Sequence, residues 1–525
     1  MSSSPEAPAG TEARRALQAA ATQRLHPLSW LFILLQQLGQ FALPIVLLLI
    51  SGRGEQNPAE LVGLAGIGVL AVVAVWRYFT YRYGFVGRAL VIRSGLLERN
   101  LRLIPFDRVQ NVTLHQNLLH RLAGVAEVQL ESAGGGIGET EARMQVLRLA
   151  QAHALEALVR AGAAEAGRAG DATAEAPAAS RWLHLPTSEL VRLGLISNRG
   201  MLVVAAVFGL LSQAGERVLG EASETLLEAG RQGLALAEGW QPGPLTWTLG
   251  GLALLLVLLA LLRLFSVLLA IVQFHDFQLW AGERELRVER GLLSRIRSHL
   301  PKRRIQAYSL RESLLHRWFG RQSLRIDRAS VEVPGETSLR DLVPLAPPAL
   351  MADLLGRLLP GATWPPGRWH RLHPRAWWRV FAPAALGLFA LSAALAAWRG
   401  PEAGWLLLLL PLLALRAVLW ARYSAWSLEQ GLFSFRQGWL DRRWRFVETG
   451  KIHVVALHEN PFDRRHGMAS VQVDTQGASP LEPALFVPYL PAAEARALAE
   501  ALRAALPRDP GVNRARTAGS AAPAG

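Results

Sequence analysis

The sequence predicts an α+β membrane protein: six transmembrane helices in three pairs, each pair followed by a small β-barrel with a C-terminal helix. Three observations carry this reading. Apolar blocks long enough to cross a bilayer alternate with charged blocks, the charged blocks repeat one another in register, and arginine collects outside the helix pairs. Hydrophobic residues make up 51% of the 525, and mean hydropathy is +0.20 although 18% are charged. Evenly mixed charge would not give that combination, so the two classes are segregated.

A span of the ~30 Å hydrocarbon core needs roughly 20 residues. Residues 1–23 are polar and read as a disordered tail with no signal peptide. The first pair (24–80) holds Leu28–Ile50, which carries Gln36, Gln37 and Gln40, and Leu61–Trp76. A first soluble domain follows at 81–160, then an Ala/Gly/Glu linker at 161–181. The second pair (182–273) holds Leu245–Leu262 and the weakest candidate, Leu190–Leu211, interrupted by Asn198, Arg199 and Gly200; a helix from about Gly200 to Gln213 is expected there. A second domain occupies 274–360. The third pair (371–421) holds Val380–Trp398 and Gly404–Trp420, a third domain occupies 422–506, and 507–525 is a second disordered tail. Arg77, Arg263 and Arg416 sit near the last turns of the second helices, where snorkelling to the headgroups is expected.

The formal charge of +15 comes almost wholly from arginine, Lys302 and Lys451 being the only lysines. The connection between the third and fourth helices is acidic (Glu216, Glu221, Glu224, Glu228, Glu238), and the segments outside the pairs are arginine-rich. By the positive-inside rule both termini and all three soluble domains are expected in the cytoplasm. Topology accounts for the basic charge, so no nucleic acid is required. With no cysteine, disulfides and thiol catalysis are excluded.

The soluble segments repeat. From Gly95, Gly291 and Gly438 the strings GLLERNLRLIPFDRVQNV, GLLSRIRSHLPKRRIQAY and GWLDRRWRFVETGKIHVV align without a gap. Arg99/Arg295/Arg442, Arg108/Arg304/Lys451 and Arg121/Arg317/Arg464 recur, as do Gly124/Gly320/Gly467 and the acids Glu131/Asp327/Asp474. RLHP precedes the first and third helix pairs at Arg24–Pro27 and Arg371–Pro374, and Trp182–Pro186 is a looser middle copy. Alternation at Leu90/Ile92, Leu286/Val288 and Phe433/Phe435 predicts half-buried strands. The glycines predict turns, the NLLHR, SLLHR and NPFDR blocks a short helical turn, and Ala154–Arg160, Ala349–Leu358 and Ala492–Leu506 a closing helix in each copy.

The G-L-L, P, R-[VI]-Q, L-L-H-R, G pattern resembles the bacterial pleckstrin-homology-like domain of the YdbS/YdbT membrane proteins, and over about residues 24–505 the chain is similar to the three-domain, YdbT-like members. The resemblance implies a pleckstrin-homology-like barrel, membrane residence and, as partner, a smaller membrane protein with one such domain. It implies no activity. The third copy departs from the pattern, with Glu448 for the proline and Asn460-Pro461-Phe462-Asp463 in the leucine block.

The nine recurrent basic residues, Arg99, Arg108, Arg121, Arg295, Arg304, Arg317, Arg442, Lys451 and Arg464, are candidate interface or headgroup contacts, since a guanidinium fork suits phosphate. The competing structural reading, an internal ion pair with Glu131, Asp327 and Asp474, is favoured. His115, His120, His299, His316, His453 and His458 lack metal-ligand spacing and read as polar turn residues. Gly134–Gly136 reads as a flexible hairpin rather than a phosphate loop. Gln36, Gln37 and Gln40 read as bundle glue, with a transport path as the sharper alternative. No catalytic, cofactor or metal site emerges. The expected function is a non-enzymatic scaffold whose domains bind partner proteins, each other or the membrane surface, with envelope stress or toxin resistance as its setting. The alternative is a transporter or lipid-handling protein that the domains regulate.

Overall fold

The structure is a computed structural model that describes residues 22–35, 37–38, 59–95, 100–106, 109–132, 142–166, 180–201, 243–328, 340–475 and 485–506, with isolated positions 19, 209, 224 and 228. Two compact units divide it, residues 1–300 and 301–525. The boundary falls inside the second copy of the repeat, between its third and fourth strands.

In the first unit, strands β1 (Arg82–Val86), β2 (Ala89–Ser94) and β3 (Asn100–Pro105) form a three-stranded antiparallel sheet. Strands β4 (Val109–Asn117), β5 (Val125–Ser132) and β6 (Ala142–Arg148) form the second half of the first copy, closed by the helix Leu149–Ala166. Leu90, Ile92 and Ile104 from the first half share one core with Val112, Val128, Leu130 and Met144 from the second, and with Leu155 of the helix. These are the alternating positions of the sequence. Burying one face of each strand is what that alternation does.

The second copy supplies β7 (Ser180–His184), β8 (Gln278–Ala281), β9 (Glu285–Arg290) and β10 (Ser294–Pro301). Here the architecture departs from three separate barrels. β10 pairs with β4 of the first copy, so a seven-stranded sheet runs β6-β5-β4-β10-β9-β8-β7. The second unit repeats the arrangement with β11 (Ile305–Glu312), β12 (Gln322–Arg328) and β13 (Asp341–Ala346) of the second copy and β14 (His370–Arg371), β15 (Ala425–Glu429), β16 (Leu432–Gln437) and β17 (Arg442–Glu448) of the third. Its sheet runs β13-β12-β11-β17-β16-β15-β14. Strands β18 (Ile452–His458), β19 (Met468–Thr475) and β20 (Leu485–Pro491) complete the third copy as a three-stranded sheet, closed by Ala492–Ala504. The hydrophobic pattern fixed each strand and its inward face, but it carries no label for which copy a strand's free edge should meet.

The RLHP motif is also a sheet element. Gln23 bridges Tyr83, β7 pairs with β8, and β14 pairs with β15. Leu25, Leu183 and Leu372 are buried, and the His26 and His373 amides donate to Val146 and Tyr489 carbonyls of the closing sheets. Each helix-pair segment is therefore entered and left through neighbouring strands of one sheet.

Three helices are long and apolar enough to cross a membrane among the described residues: Thr248–Phe274, Ala376–Arg399 and Pro401–Tyr423, the last opening with a 3-10 segment, Pro401–Leu409. The helix Pro244–Phe274, with proline in its first turn, has 31 residues and is about 47 Å long at 1.5 Å per residue. It overruns the expected Leu245–Leu262 because its last turn joins the sheet, Leu292 donating to Val272 and Gly291 to His275. The helix Ala59–Thr80 covers Leu61–Trp76. Most of Leu28–Ile50, the acidic connection apart from Glu224 and Glu228, and Gly134–Gly136 lie outside the described residues. Leu190–Leu211 is broken where the sequence interrupts it, helix resumes at 199–201, and most of the expected helix from Gly200 to Gln213 lies outside the described residues. A helix Thr187–Ile196 ends where Ser197 turns extended, and Gly194 and Gly200 lie against Val267 and Ser266 of the long helix too closely for a side chain.

Arg263 reaches protein groups. Its guanidinium donates to the Leu195 and Ser197 carbonyls and to Asn198, at 3.1–3.2 Å, capping the end of that broken helix. The repeated glycines do take left-handed backbone: φ is 85° at Gly95, 110° at Gly291 and 80° at Gly438. A Cβ on Gly291 would lie 1.9 Å from the Ser294 carbonyl oxygen, and one on Gly438 2.2 Å from that of Asp441. Gly291→Ala is expected to cost about 2 kcal/mol or more from strain and clash together. Thermal unfolding of the detergent-solubilised protein would measure it, and an unchanged midpoint would contradict the tight turn.

Candidate functional site

Two features recur in every copy and face outward: the short helix of the leucine block, and the edge where one copy meets the next. The short helices are Leu118–Leu122, Leu314–Trp318 and Pro461–Arg465. Each is nucleated by its N-cap. Asn117 accepts from the His120 amide, Ser313 from His316 and Asn460 from Asp463. His120 and His316 are buried, and the Ser313 hydroxyl lies 2.8 Å from the His316 ring. Burial and the nearby Arg311 charge push the His316 pKa down to about 4, so this imidazole is a neutral structural element. In the third copy Asp463 replaces the histidine and pairs with Arg379 at 2.8 Å, at the start of the helix Ala376–Arg399. Phe32, the residue eight after Arg24 as Arg379 is eight after Arg371, stacks on His120 with centroids 4.1 Å apart. Each of these two helices is thereby tied to the base of a helix pair.

With the polar residues turned inward, the apolar ones face out. Leu122 is 87% exposed, Trp318 84% and Phe462 67%, joined by Leu118, Leu119 and Leu314. Each short helix thus presents an apolar knob, Leu122 and Trp318 at one position of the repeat and Phe462 three residues earlier in its copy, Arg465 taking their place there; such knobs, in two copies anchored to the foot of a helix pair, suit a bilayer interface.

The junctions are strand pairings with matched register. Thr113, eighteen residues after Gly95, faces Ser298, seven after Gly291; Ser309, eighteen after Gly291, faces Arg445, seven after Gly438. Both are tied by the same arginine. Arg121 donates to the Leu292 carbonyl at 3.3 Å, and Arg317 to the Leu440 carbonyl at 3.4 Å. Side chains then differ. At the first junction Thr113 and Ser298 are hydrogen-bonded at 3.2 Å, and Glu156 of the closing helix lies 2.6 Å from His299 of β10, both buried. Neither ring nitrogen is aligned for a hydrogen bond, so this is a contact of charges. Burial alone would raise the Glu156 carboxyl, but His299, with His153 and Arg297, holds it at about 2. Burial alone would lower His299, but Glu156 and Glu285 carry it above its ordinary value. At the second junction Arg311 grips Asp441 through two bonds of 2.9 and 3.0 Å, Arg445 pairs with Asp327 at 2.9 Å, and Tyr308 stacks on Phe446 at 5.4 Å.

The nine basic residues therefore scatter among roles. Arg99 and Arg108 lie outside the described residues. Arg295 pairs with Glu289, which also holds Arg287 and Arg297. Arg304 sits in the 3-10 turn Lys302–Arg304, Arg442 lies over the Tyr423 ring, and Lys451 pairs with Glu448. Arg464 is exposed. Asp327 reaches the following copy and not a basic residue of its own. Arg121, Arg290 and Arg295, with His184 and His275, line a cavity of about 350 Å³ beside the Gly291 turn. A counterpart of about 330 Å³ at the Gly438 turn has Arg416 and Arg443 against Val380, Ala384 and Leu413. Of the glutamines, Gln36 and Gln40 fall outside the described residues, and Gln37 is half-buried.

The histidines do not occupy turns. His115, His299, His453 and His458 lie on strands and His120 and His316 in short helices. No group of three or more His, Asp or Glu suited to a metal occurs among the described residues. Sequence reasoning missed the Glu156–His299 and Arg311–Asp441 contacts, because neither pair recurs across the copies.

The bacterial PH domain family matches three times, over residues 31–163, 232–357 and 381–506. The chain belongs to this family. Each match ends in the closing helix of a copy, so the family's repeat is the repeat seen here. The transmembrane protein YdbT of Bacillus subtilis (strain 168) is 22% identical over 487 residues, covering 88% of this chain and 94% of that one. No solved structure matches the chain. This is a membrane protein with repeated bacterial PH domains, and its likeness to YdbT extends through helices and domains alike.

The ion pair at the first junction has a defined pH window. His299, raised when folded, stabilises fully below its unfolded value of 6.5 and stops doing so as pH rises through its folded value. Glu156, depressed when folded, stabilises above 4.5 and stops as pH falls toward about 2. Amide protection of the β4–β10 ladder, corrected for intrinsic exchange, should therefore fall as pH rises above His299's ordinary value and through its raised folded value. His299→Gln should flatten that dependence and, by leaving Glu156 buried and unpaired, lower protection by about 3 kcal/mol. A pH dependence that survives this substitution would rule the pair out as its source.

Proposed function

We propose that this protein is a non-enzymatic membrane scaffold: three bacterial PH domains, welded into an array and held against the cytoplasmic leaflet, that present binding surfaces to partner proteins and to lipid. The observation that carries the proposal is the strand pairing between consecutive copies. A pairing of several ladder bonds, a shared register and a recurrent arginine fixes the spacing of binding modules, and an assembler requires fixed spacing. The cavity of about 400 Å³ that gathers His458, Asp463 and Ser470 has them engaged with Gln472, Arg379 and the Tyr489 amide, and the two cavities at the glycine turns are lined by arginine beside apolar residues.

The six-span, one-sided topology belongs to the same proposal. Every helix-pair segment starts and finishes in adjacent strands, so a chain that leaves for the membrane returns to the face it left. Two crossings per segment satisfy that constraint, and the arginine-rich flanks favour the cytoplasmic side. The apolar knobs would then rest in the interface, and Arg121, Arg290 and Arg295 would meet anionic headgroups at about 1 kcal/mol each. Domain limits at 24–80, 81–160, 182–273, 274–360, 371–421 and 422–506 follow from this division, with the RLHP-type strands serving the sheets although they precede the helices.

Because the chain has no cysteine, single-cysteine reporters test this directly. Gln151→Cys, Asp353→Cys and Glu500→Cys, on the three closing helices, should all resist an impermeant thiol reagent in intact cells and all react after permeabilisation. Labelling of any one in intact cells would refute the one-sided arrangement. A fluorophore on Leu122→Cys or Trp318→Cys should be quenched by a lipid-phase quencher while one on Glu500→Cys is not. Equal quenching would remove the knobs from the membrane.

A further inference from the structure

The array has two unfinished ends. Inside the chain, the third strand of a copy always receives the fourth strand of the copy before it. The third strand of the first copy, β3, and the fourth strand of the third copy, β18, are the same two edges, and each terminates its sheet among the described residues. We propose that these ends pair with each other between chains, β18 of one copy of the protein adding to β3 of another, so that the scaffold extends head to tail. The inference rests on the strand-paired array described above and names its partner as a second copy of this chain.

Four observations support that occupant. First, the edges carry no more blunting than the strands that do pair within the chain. β18 reads IHVVALH, with no formal charge and no proline, and its bulge between Ile452 and Val454 is shared by β4 and β11; β3 ends on Pro105 as the pairing strand β10 ends on Pro301. Val454 on β18 is 55% exposed and Leu103 on β3 47% exposed. Second, the junction register transfers. Ala456 lies eighteen residues after Gly438 and Arg102 seven after Gly95, the spacing by which Thr113 meets Ser298 and Ser309 meets Arg445. In that register Val455 faces Leu103 and Leu457 faces Leu101. Third, the charges match the second junction. Asp474 occupies the position of Asp327, and Arg102 that of Arg445. One Asp474 carboxylate oxygen is buried and has no hydrogen-bond partner among the described residues, a costly state that an incoming arginine would relieve. Fourth, the tying arginine is present and unused. Arg464 stands in register with Arg121 and Arg317, whose guanidiniums hold the G-L-L turn of the next copy. It is exposed without a partner among the described residues. At the opposite end Gly95 opens the matching turn with φ of 85°.

The products of the pairing are chains joined through one continuous sheet. The bilayer confines them to a plane, and β-strand addition needs no rearrangement of either partner's core. A different protein carrying one bacterial PH domain would present the same edges, so the test separates the two.

Two differently tagged chains, one Leu103→Cys and the other Val455→Cys, are co-expressed and their membranes oxidised. The expected result is a disulfide-linked species carrying both tags. A chain with both substitutions should give a ladder of dimers and longer species, and Val454→Cys, one residue out of register, should link to Leu103→Cys at least severalfold less. Asp474→Arg or Arg102→Asp should each reduce linking roughly fivefold, the scale of one surface charge pair, and chains carrying both should recover it. An internal control, Leu114→Cys with Arg297→Cys at the first junction, must link within one chain. If the control links and the end pair does not, or if the doubly substituted chain closes on itself as a monomer, the head-to-tail inference is wrong and the scaffold proposal stands. If the control also fails, the strand-paired array itself is wrong. A link from Val455→Cys only to an unrelated smaller protein would assign the edge to that partner and likewise overturn the inference.

Discussion

The fold depends on one constraint: the fourth strand of a copy must find the third strand of the next. A PH-like domain split into two short sheets leaves an edge on each half, and an open edge is a row of unpaired amides and carbonyls. Within the chain those edges satisfy one another across copies. The glycine turn with φ near 100° delivers the third strand, the arginine of the leucine block clamps that turn, and the matched register aligns the side chains between. Remove the pairing and both sheets end in exposed backbone at their centres. The ladder is the common element. The side chains that decorate it are free to differ, and they do.

That freedom shows in the electrostatics. The first junction uses one buried acid–histidine pair, the second a set of half-exposed arginine–carboxylate contacts and a stacked tyrosine and phenylalanine. Exposed ion pairs contribute about 0–1 kcal/mol each, too little to hold domains together but enough to select a partner with the right sign. The buried pair is different. Its worth lies in the penalty of breaking it, since a carboxylate left alone in the interior is unsolvated. The first junction therefore carries a histidine raised above its ordinary value and the second a carboxyl, Asp441, that Arg311 holds below its own, although both share a backbone geometry.

What the sequence made legible was local. Turn glycines, alternating strands, capped short helices and the threefold register all follow from contacts within a few residues, and these elements appear where they were expected. The leucine block shows the limit. Its cap was readable from Asn117 and Ser313, but the packing of the buried His120, which turns the leucines outward, involves Phe32 from far earlier in the chain. Arg263 shows it again: a charged residue in an apolar helix looked like a snorkelling group, while its partners were the carbonyls of a helix end over sixty residues earlier in the chain. Strand alternation, likewise, specifies a face and never a neighbour. The copies' separate appearance in sequence concealed that their sheets are shared.

The membrane completes the argument. Solenoid proteins stack repeats through nearest-neighbour contacts and require polar caps at both ends to remain soluble. Here β3 and β18 end their sheets among the described residues, and at a membrane the risk of uncontrolled addition is limited by geometry. In the topology we propose, strands that flank each helix pair tether the domains to the bilayer, so edges from different chains meet within one plane. Such confinement raises their effective concentration and removes most of the wrong encounters. An edge that would be a liability in a soluble protein becomes, under those restrictions, a directional connector, and the same tether that anchors the chain supplies the specificity its edges lack.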